Sequence, residues 1–200
     1  MESFDWAVNA YTEGASFVSF DLETTGLDPV KDRIAEIGAV KFDNRGLIAR
    51  FSTLVNPGIS MPAEAGRVNH ISDEMLAGKP DIDKVLPDFL SFIDKSIIVA
   101  YNAPFDCGFV NEILKKRWEK SDNAFFSEKE PGSSPFPALP NPIADVLVYA
   151  RGQFPGRRSY SLQNMAADLG IPVRDAHRAE DDARLCMEIF IRAVSQNLSV

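Results

Sequence analysis

Cysteine is scarce: Cys107 and Cys186 are the only two in 200 residues. That excludes a disulfide-stapled fold and a zinc module built on closely paired cysteines. The two read as reduced core thiols in a cytoplasmic protein. No apolar run approaches the roughly 20 residues of a membrane helix, so no membrane role is expected. Met1 to Thr12 carries Glu2, Asp5 and Asn9 without a basic cluster, unlike a secretory signal. Positive charge is also short. There are 21 Lys and Arg against 29 Asp and Glu, a net charge of −8. A passive nucleic-acid binder usually neutralises phosphates with Lys and Arg, which counts against that class. An enzyme that holds cations over carboxylates escapes the objection. The length suits one ordinary domain with its own core. Oligomeric state is not legible.

The alternation over Phe17 to Glu23 predicts a strand, and Thr24-Thr25-Gly26-Leu27-Asp28-Pro29 ends it in a loop. Ile34 to Phe42 and Leu47 to Val55 predict two more strands, with a hairpin at Asn44-Arg45-Gly46. Helices are expected over Pro62 to Val68 and Ile82 to Ile93. Ile97 to Tyr101 reads as a buried strand. Pro104 suits the first turn of a helix running to about Trp118. Ser121 to Pro142 is polar and proline-rich and reads as a long surface loop. Ile143 to Arg151 fits either strand or helix. Ser161 to Leu169 is a short helix with Ser161 as N-cap and Gly170 as C-cap. Arg178 to Asn197 is the last long helix. The order predicts an α/β layer fold with a mixed sheet.

Certain acids sit where apolar residues belong. On the last helix, at about 100° per residue, Ala179, Ala183, Cys186, Phe190, Ala193 and Val194 share a face. Asp182 lies on that side. Glu180, Asp181, Arg184, Glu188 and Arg192 fall on the polar side, so Asp181 reads as an ordinary solvated acid. On the helix after Pro104, Asp106 heads the stripe of Phe109, Val110, Ile113 and Leu114. In the first strand, Asp21 and Glu23 are two apart and point to one side, at the strand's C-terminal end. Burying a lone carboxylate is very costly. Taken singly, salt bridging or helix capping explains each acid. Taken together they do not, because no Lys or Arg lies within Asp21 to Glu23 or Asn102 to Asp106. A cluster of hard oxygen ligands suits Mg²⁺ or Mn²⁺. Two such ions about 3.5–4 Å apart can stabilise both oxygens of phosphodiester hydrolysis. His177 lies five residues before Asp182. From a loop before the helix it can swing toward the acids and accept a proton.

These residues resemble the DnaQ-like (DEDD) 3′→5′ exonucleases, in the branch with a catalytic histidine. The family's D-x-E reads Asp21-Leu22-Glu23, continuing into Thr24-Thr25-Gly26-Leu27. N-x-x-F-D reads Asn102-Ala103-Pro104-Phe105-Asp106, and H-x-A-x-x-D reads His177-Arg178-Ala179-Glu180-Asp181-Asp182. The resemblance covers about residues 16 to 192, including Ile34 to Val40 and Ser161-Leu162-Gln163. It implies a ribonuclease H-like fold: a central mixed five-stranded sheet flanked by helices. Residues 1–200 would form one exonuclease domain, with 121–142 as a surface-loop insertion.

The resemblance also implies roles. Asp21, Glu23 and Asp182 would hold one cation, and Asp21 with Asp106 a second. His177 would be the general base. Thr24, Thr25, Gly26 and Leu27 would line the terminal-nucleotide pocket, with Asn102 and Phe105 near the same strand end. Many relatives place a histidine before glycine and isoleucine near this pocket. Here the segment is Val68-Asn69-His70-Ile71, so Asn69 takes the histidine position and His70 the glycine position. His70 is carried as a substrate contact. The expected substrate is a nucleic-acid 3′ end, DNA before RNA, with a DNA polymerase as a partner for proofreading. The alternatives are an RNA-directed exoribonuclease and a polymerase-associated module with vestigial activity.

Overall fold

The computed structural model describes residues 4–120, 138–175 and 177–198. Most of the expected 121–142 loop therefore lies outside the described residues. Among them, no helix is long and apolar enough to cross a membrane.

Among the described residues, five strands form one mixed sheet. They are β1 (Phe17–Thr24), β2 (Ile34–Asp43), β3 (Gly46–Leu54), β4 (Ile97–Ala100) and β5 (Ile143–Asp145), in the order β3-β2-β1-β4-β5. The first three run antiparallel, whereas β4 is parallel to β1 and β5 parallel to β4. Among the described residues, eight helices surround it. They are α1 (Asp5–Thr12), α2 (Ala63–Asn69), α3 (Asp73–Leu76), α4 (Ile82–Ile93), α5 (Ala103–Lys120), α6 (Val146–Gln153), α7 (Leu162–Asp168) and α8 (Ala179–Leu198).

Period-two alternation on β1 sorts its side chains to two cores. Val18, Phe20 and Leu22 pack with Leu86 and Phe89 of α4 and Phe109 and Val110 of α5. Phe17 packs on the other side with Tyr149 of α6, Met165 of α7 and Phe190 of α8. Asp21 and Glu23 share the parity of Phe17, which places them on the α8 side. Gly38 lets α8 come this close. A Cβ there would stand 2.0 Å from the Glu180 nitrogen and 2.1 Å from the Ala179 carbonyl carbon.

Several expectations were coarser than the structure. The ambiguous 143–151 segment is both a strand and a helix. Asp145 makes the break, its carboxylate accepting from Leu147 and Val148 N–H at the start of α6 and from Ala103 N–H of α5. Nothing in the pattern marked α1 or α3, which span eight and four residues. On α8, Asp181 and Arg184 are buried rather than solvated. The 171–175 segment covers the flank of α8 that periodicity alone assigns to water.

Candidate active site

The site opens at the C-terminal end of β1. Only Phe17 to Ser19 pair with β4, so β1 runs on past its neighbour and leaves backbone groups without a ladder partner on that edge. Asp106, in the first turn of α5, answers one of them: its Oδ1 accepts the Leu22 N–H at 3.0 Å. Asp106 is 2% exposed. The acid that broke the apolar stripe of its helix thus closes the strand end.

Asp21 and Glu23 of β1 meet Asp182 of α8, with a ligand oxygen from each lying within 4.8 Å of the others. Asp106 is outside this trio yet close enough to raise the affinity of Asp21 for protons. Burial and mutual repulsion lift the whole set. Asp21 is pushed well above the usual carboxylate range by burial, then by the charges of Asp106, Asp182 and Glu23. Glu23 is pushed up to about 8 by burial and by Asp182, Glu36 and Asp106. Asp182 rises to about 6 through burial and Asp181, held back by donors from Gln163 and the His177 backbone. Asp106 is raised chiefly by burial. Acids so crowded demand protons or a cation, and an all-oxygen set of this kind fits a hard divalent ion.

His177 stands just before α8, as expected, in a left-handed turn with φ 61°. Its backbone N–H is near enough to the Asp182 carboxylate to favour the ionised form. Its ring lies 6.5 Å from that of His70, centre to centre and edge to face. His70 ends α2 with φ 57°, a left-handed conformation that favours glycine. His70 is therefore a neighbour of His177 and does not line the adjoining cleft.

That cleft, about 420 Å³, is lined by Thr24, Thr25, Gly26 and Leu27 on one side and by α2 residues and Phe105 on the others. The threonine hydroxyls are committed to the loop. Thr24 donates to the Gly26 carbonyl at 2.6 Å, and Thr25 accepts the Arg33 N–H at 2.9 Å. A Cβ at Gly26 would meet the Asp32 carboxylate at 2.4 Å and push it off the Asp28 N–H it accepts. Leu27, 82% exposed, stands at the rim. Asn102 is exposed and outside the cleft lining; its left-handed turn starts α5, where its carbonyl accepts the Phe105 N–H.

Sequence reasoning missed four contributors. Buried Asn69 donates to the Thr24 carbonyl and accepts from Ile71, tying α2 to the cleft. Gln163 of α7 donates to both Asp182 oxygens at 3.3–3.4 Å. Glu36 of β2, 1% exposed, takes a two-pronged bond from Arg178. Asp181 pairs with Arg184. Glu36 follows apolar Ile34 and Ala35 in a strand interior, the one signal that was readable.

The family model described as "Exonuclease" matches residues 18–190. The chain belongs to this exonuclease family. The DNA polymerase III subunit epsilon of Treponema pallidum is 42% identical over 196 residues, covering 97% of this chain and 83% of that protein. The PolC-type DNA polymerase III of Clostridium perfringens is 36% identical over 174 residues, 87% of this chain but only 11% of that protein. Among solved structures, Exonuclease X in complex with 5′ overhanging duplex DNA aligns over 90% of this chain and 91% of that one. Its TM-score is 0.66 at 23% identity, which shows the shared ribonuclease H-like fold. Membership and the acidic cluster together imply a divalent metal for this exonuclease.

Proposed function

We propose that this exonuclease removes nucleoside monophosphates from the 3′ end of DNA with two divalent cations, Mg²⁺ or Mn²⁺. The observation that carries the reading is the convergence of Asp21, Glu23 and Asp182 beside a cleft of nucleotide size. Asp21, Glu23 and Asp182 would hold one ion, and Asp21 with Asp106 the other. Ions so held stabilise charge on the attacking and leaving oxygens. His177 accepts the proton of the attacking water at a ring nitrogen. The water oxygen bonds to the terminal phosphorus, the bond to the preceding 3′ oxygen breaks, and solvent protonates that oxygen. Gln163 orients the Asp182 carboxylate. Leu27 and Phe105 flank the terminal base, while backbone N–H groups of the Thr24 to Leu27 loop other than that of Thr25, which donates to the Arg33 carbonyl, meet its polar atoms.

DNA is favoured over RNA because the epsilon relative is a DNA polymerase subunit by name. The same likeness supports a DNA polymerase partner and a proofreading or repair role. Two buried free thiols suit a reducing compartment, the cytoplasm. A module with vestigial activity is disfavoured because every acid of the set, with His177, is present.

The test is time-resolved digestion of 5′-labelled DNA and RNA oligomers, single- and double-stranded, with Mg²⁺ or EDTA. A DNA ladder shortening from the 3′ end, absent in EDTA, is expected. His177→Ala should slow it by about 10²–10⁴-fold. Internal cleavage or EDTA-resistant activity refutes the reaction. Faster digestion of RNA refutes the substrate.

A further inference from the structure

Asp181 and Arg184 are 8% and 3% exposed, although helix periodicity assigns them to solvent. What covers them is the segment that leads to His177. Asp181 Oδ2 accepts the N–H of Arg174 at 2.9 Å and of Asp175 at 3.0 Å. Its Oδ1 accepts the Nε–H of Arg184 at 2.7 Å. Arg184 then donates from Nη2 to the Pro172 carbonyl at 2.7 Å and ion-pairs with Glu188. Three backbone groups of residues 172–175 are thus fastened to one buried ion pair.

The other side of His177 is fastened as well. Arg178 donates to both oxygens of buried Glu36 at 2.6 and 3.0 Å, and Ala179 N–H adds a third bond at 3.3 Å. Between the two clamps His177 holds φ 61°, a conformation that a non-glycine residue keeps only when its surroundings impose it.

We propose that Asp181 is a positioning residue, fixing with Arg184 the path of residues 172–175 and so where the His177 imidazole stands against the carboxylate cluster. The inference rests on His177 as general base. Ordinary helix capping does not account for Asp181. As the third residue of α8 it would reach back to the N–H just before the helix. It reaches instead to residues 174 and 175, seven and six positions back. Stability alone is a weak reason for the pair, since a buried ion pair often gives little net gain over apolar packing. Placement of a catalytic base, by contrast, is demanding: a shift of about 1 Å can cost about 100-fold in rate.

The test is a double-mutant cycle in the full chain, reading kcat and KM on a 3′-labelled DNA oligomer with Mg²⁺. Asp181→Asn keeps the shape but cannot accept from both backbone amides and from Arg184 together. It should lower kcat about 10- to 100-fold with KM within about twofold. In a His177→Ala background it should add less than about twofold, because the residue it acts through is gone. Unchanged kcat in Asp181→Asn overturns the proposal. So does an equal further loss in the His177→Ala background, which assigns the effect to Asp182 or to folding. Full activity in His177→Ala alone overturns the general-base reading and is visible without any Asp181 variant. If Asp181→Asn does not fold, Arg184→Lys runs the same cycle, because lysine cannot fork to both Asp181 and Pro172. Amide exchange in the wild-type protein is an independent check: Arg174 and Asp175 should be protected, and exchange at free-loop rates overturns the clamp.

Discussion

Replacing Glu23 with Gln should stabilise the metal-free protein at alkaline pH while weakening its metal site. Glu23 titrates at about 8 in the fold against 4.5 for an ordinary glutamate, because burial and the charges of Asp182, Glu36 and Asp106 oppose its ionisation. A carboxylate raised in the folded state costs nothing below pH 4.5, where both states are protonated. The cost grows between 4.5 and about 8 and is constant above. At ~1.4 kcal/mol per pKa unit the ceiling is near 5 kcal/mol. Water entering the open cleft and small rearrangements reduce this to roughly 1–3 kcal/mol. A gain of about 2 kcal/mol raises the Tm of a chain this long by roughly 4–8 °C. The assay is urea or thermal unfolding in EDTA at pH 5 and pH 8.5. Glu23→Gln should match the wild type at pH 5 within about 0.5 kcal/mol and exceed it at pH 8.5. Saturating Mn²⁺ should reverse the order at pH 8.5, since the wild type gains ~2.7 kcal/mol at 100 times its Kd. A variant no more stable than wild type at pH 8.5, or one whose advantage is the same at both pH values, refutes the account of the cluster.

Two further outcomes follow from the same geometry. Asp21→Ala should abolish cleavage in the oligomer assay. It should not lower the metal-free Tm at pH 8, since it removes a partly buried carboxylate repelled by four neighbours, Asp106, Asp182, Glu23 and Glu36; a clear loss of Tm would mean that Asp21 is structural. Gly38→Ala places a methyl 2.0 Å from the backbone of α8. It should cost at least about 1–3 kcal/mol and lower kcat, because α8 carries Asp182 and follows His177; an unchanged Tm would refute the close approach.

Some of the molecule is legible in the residue pattern alone. The bounds of α4 match the apolar pattern of Ile82 to Ile93, because an amphipathic helix announces its own face. β1 is equally plain from its alternation. The break at Asp145 is not, because a three-residue strand has too few positions to show a period. α1 escapes notice for a similar reason, being two turns whose face is set by the Tyr149 and Phe190 side of the core.

By itself the sequence determined which chemistry was available. Periodicity puts Asp21 and Glu23 on one side of a strand and Asp106 and Asp182 on apolar helix faces, because those repeats are properties of the local backbone. Only the tertiary structure decided which charges meet and which stay wet. Asp21, Glu23 and Asp182 converge because β1 outruns β4 and Gly38 admits α8. Asp181 and Arg184 are buried because residues 172–175 fold over them, and whether a helix flank faces water depends on what packs there, not on its own repeat.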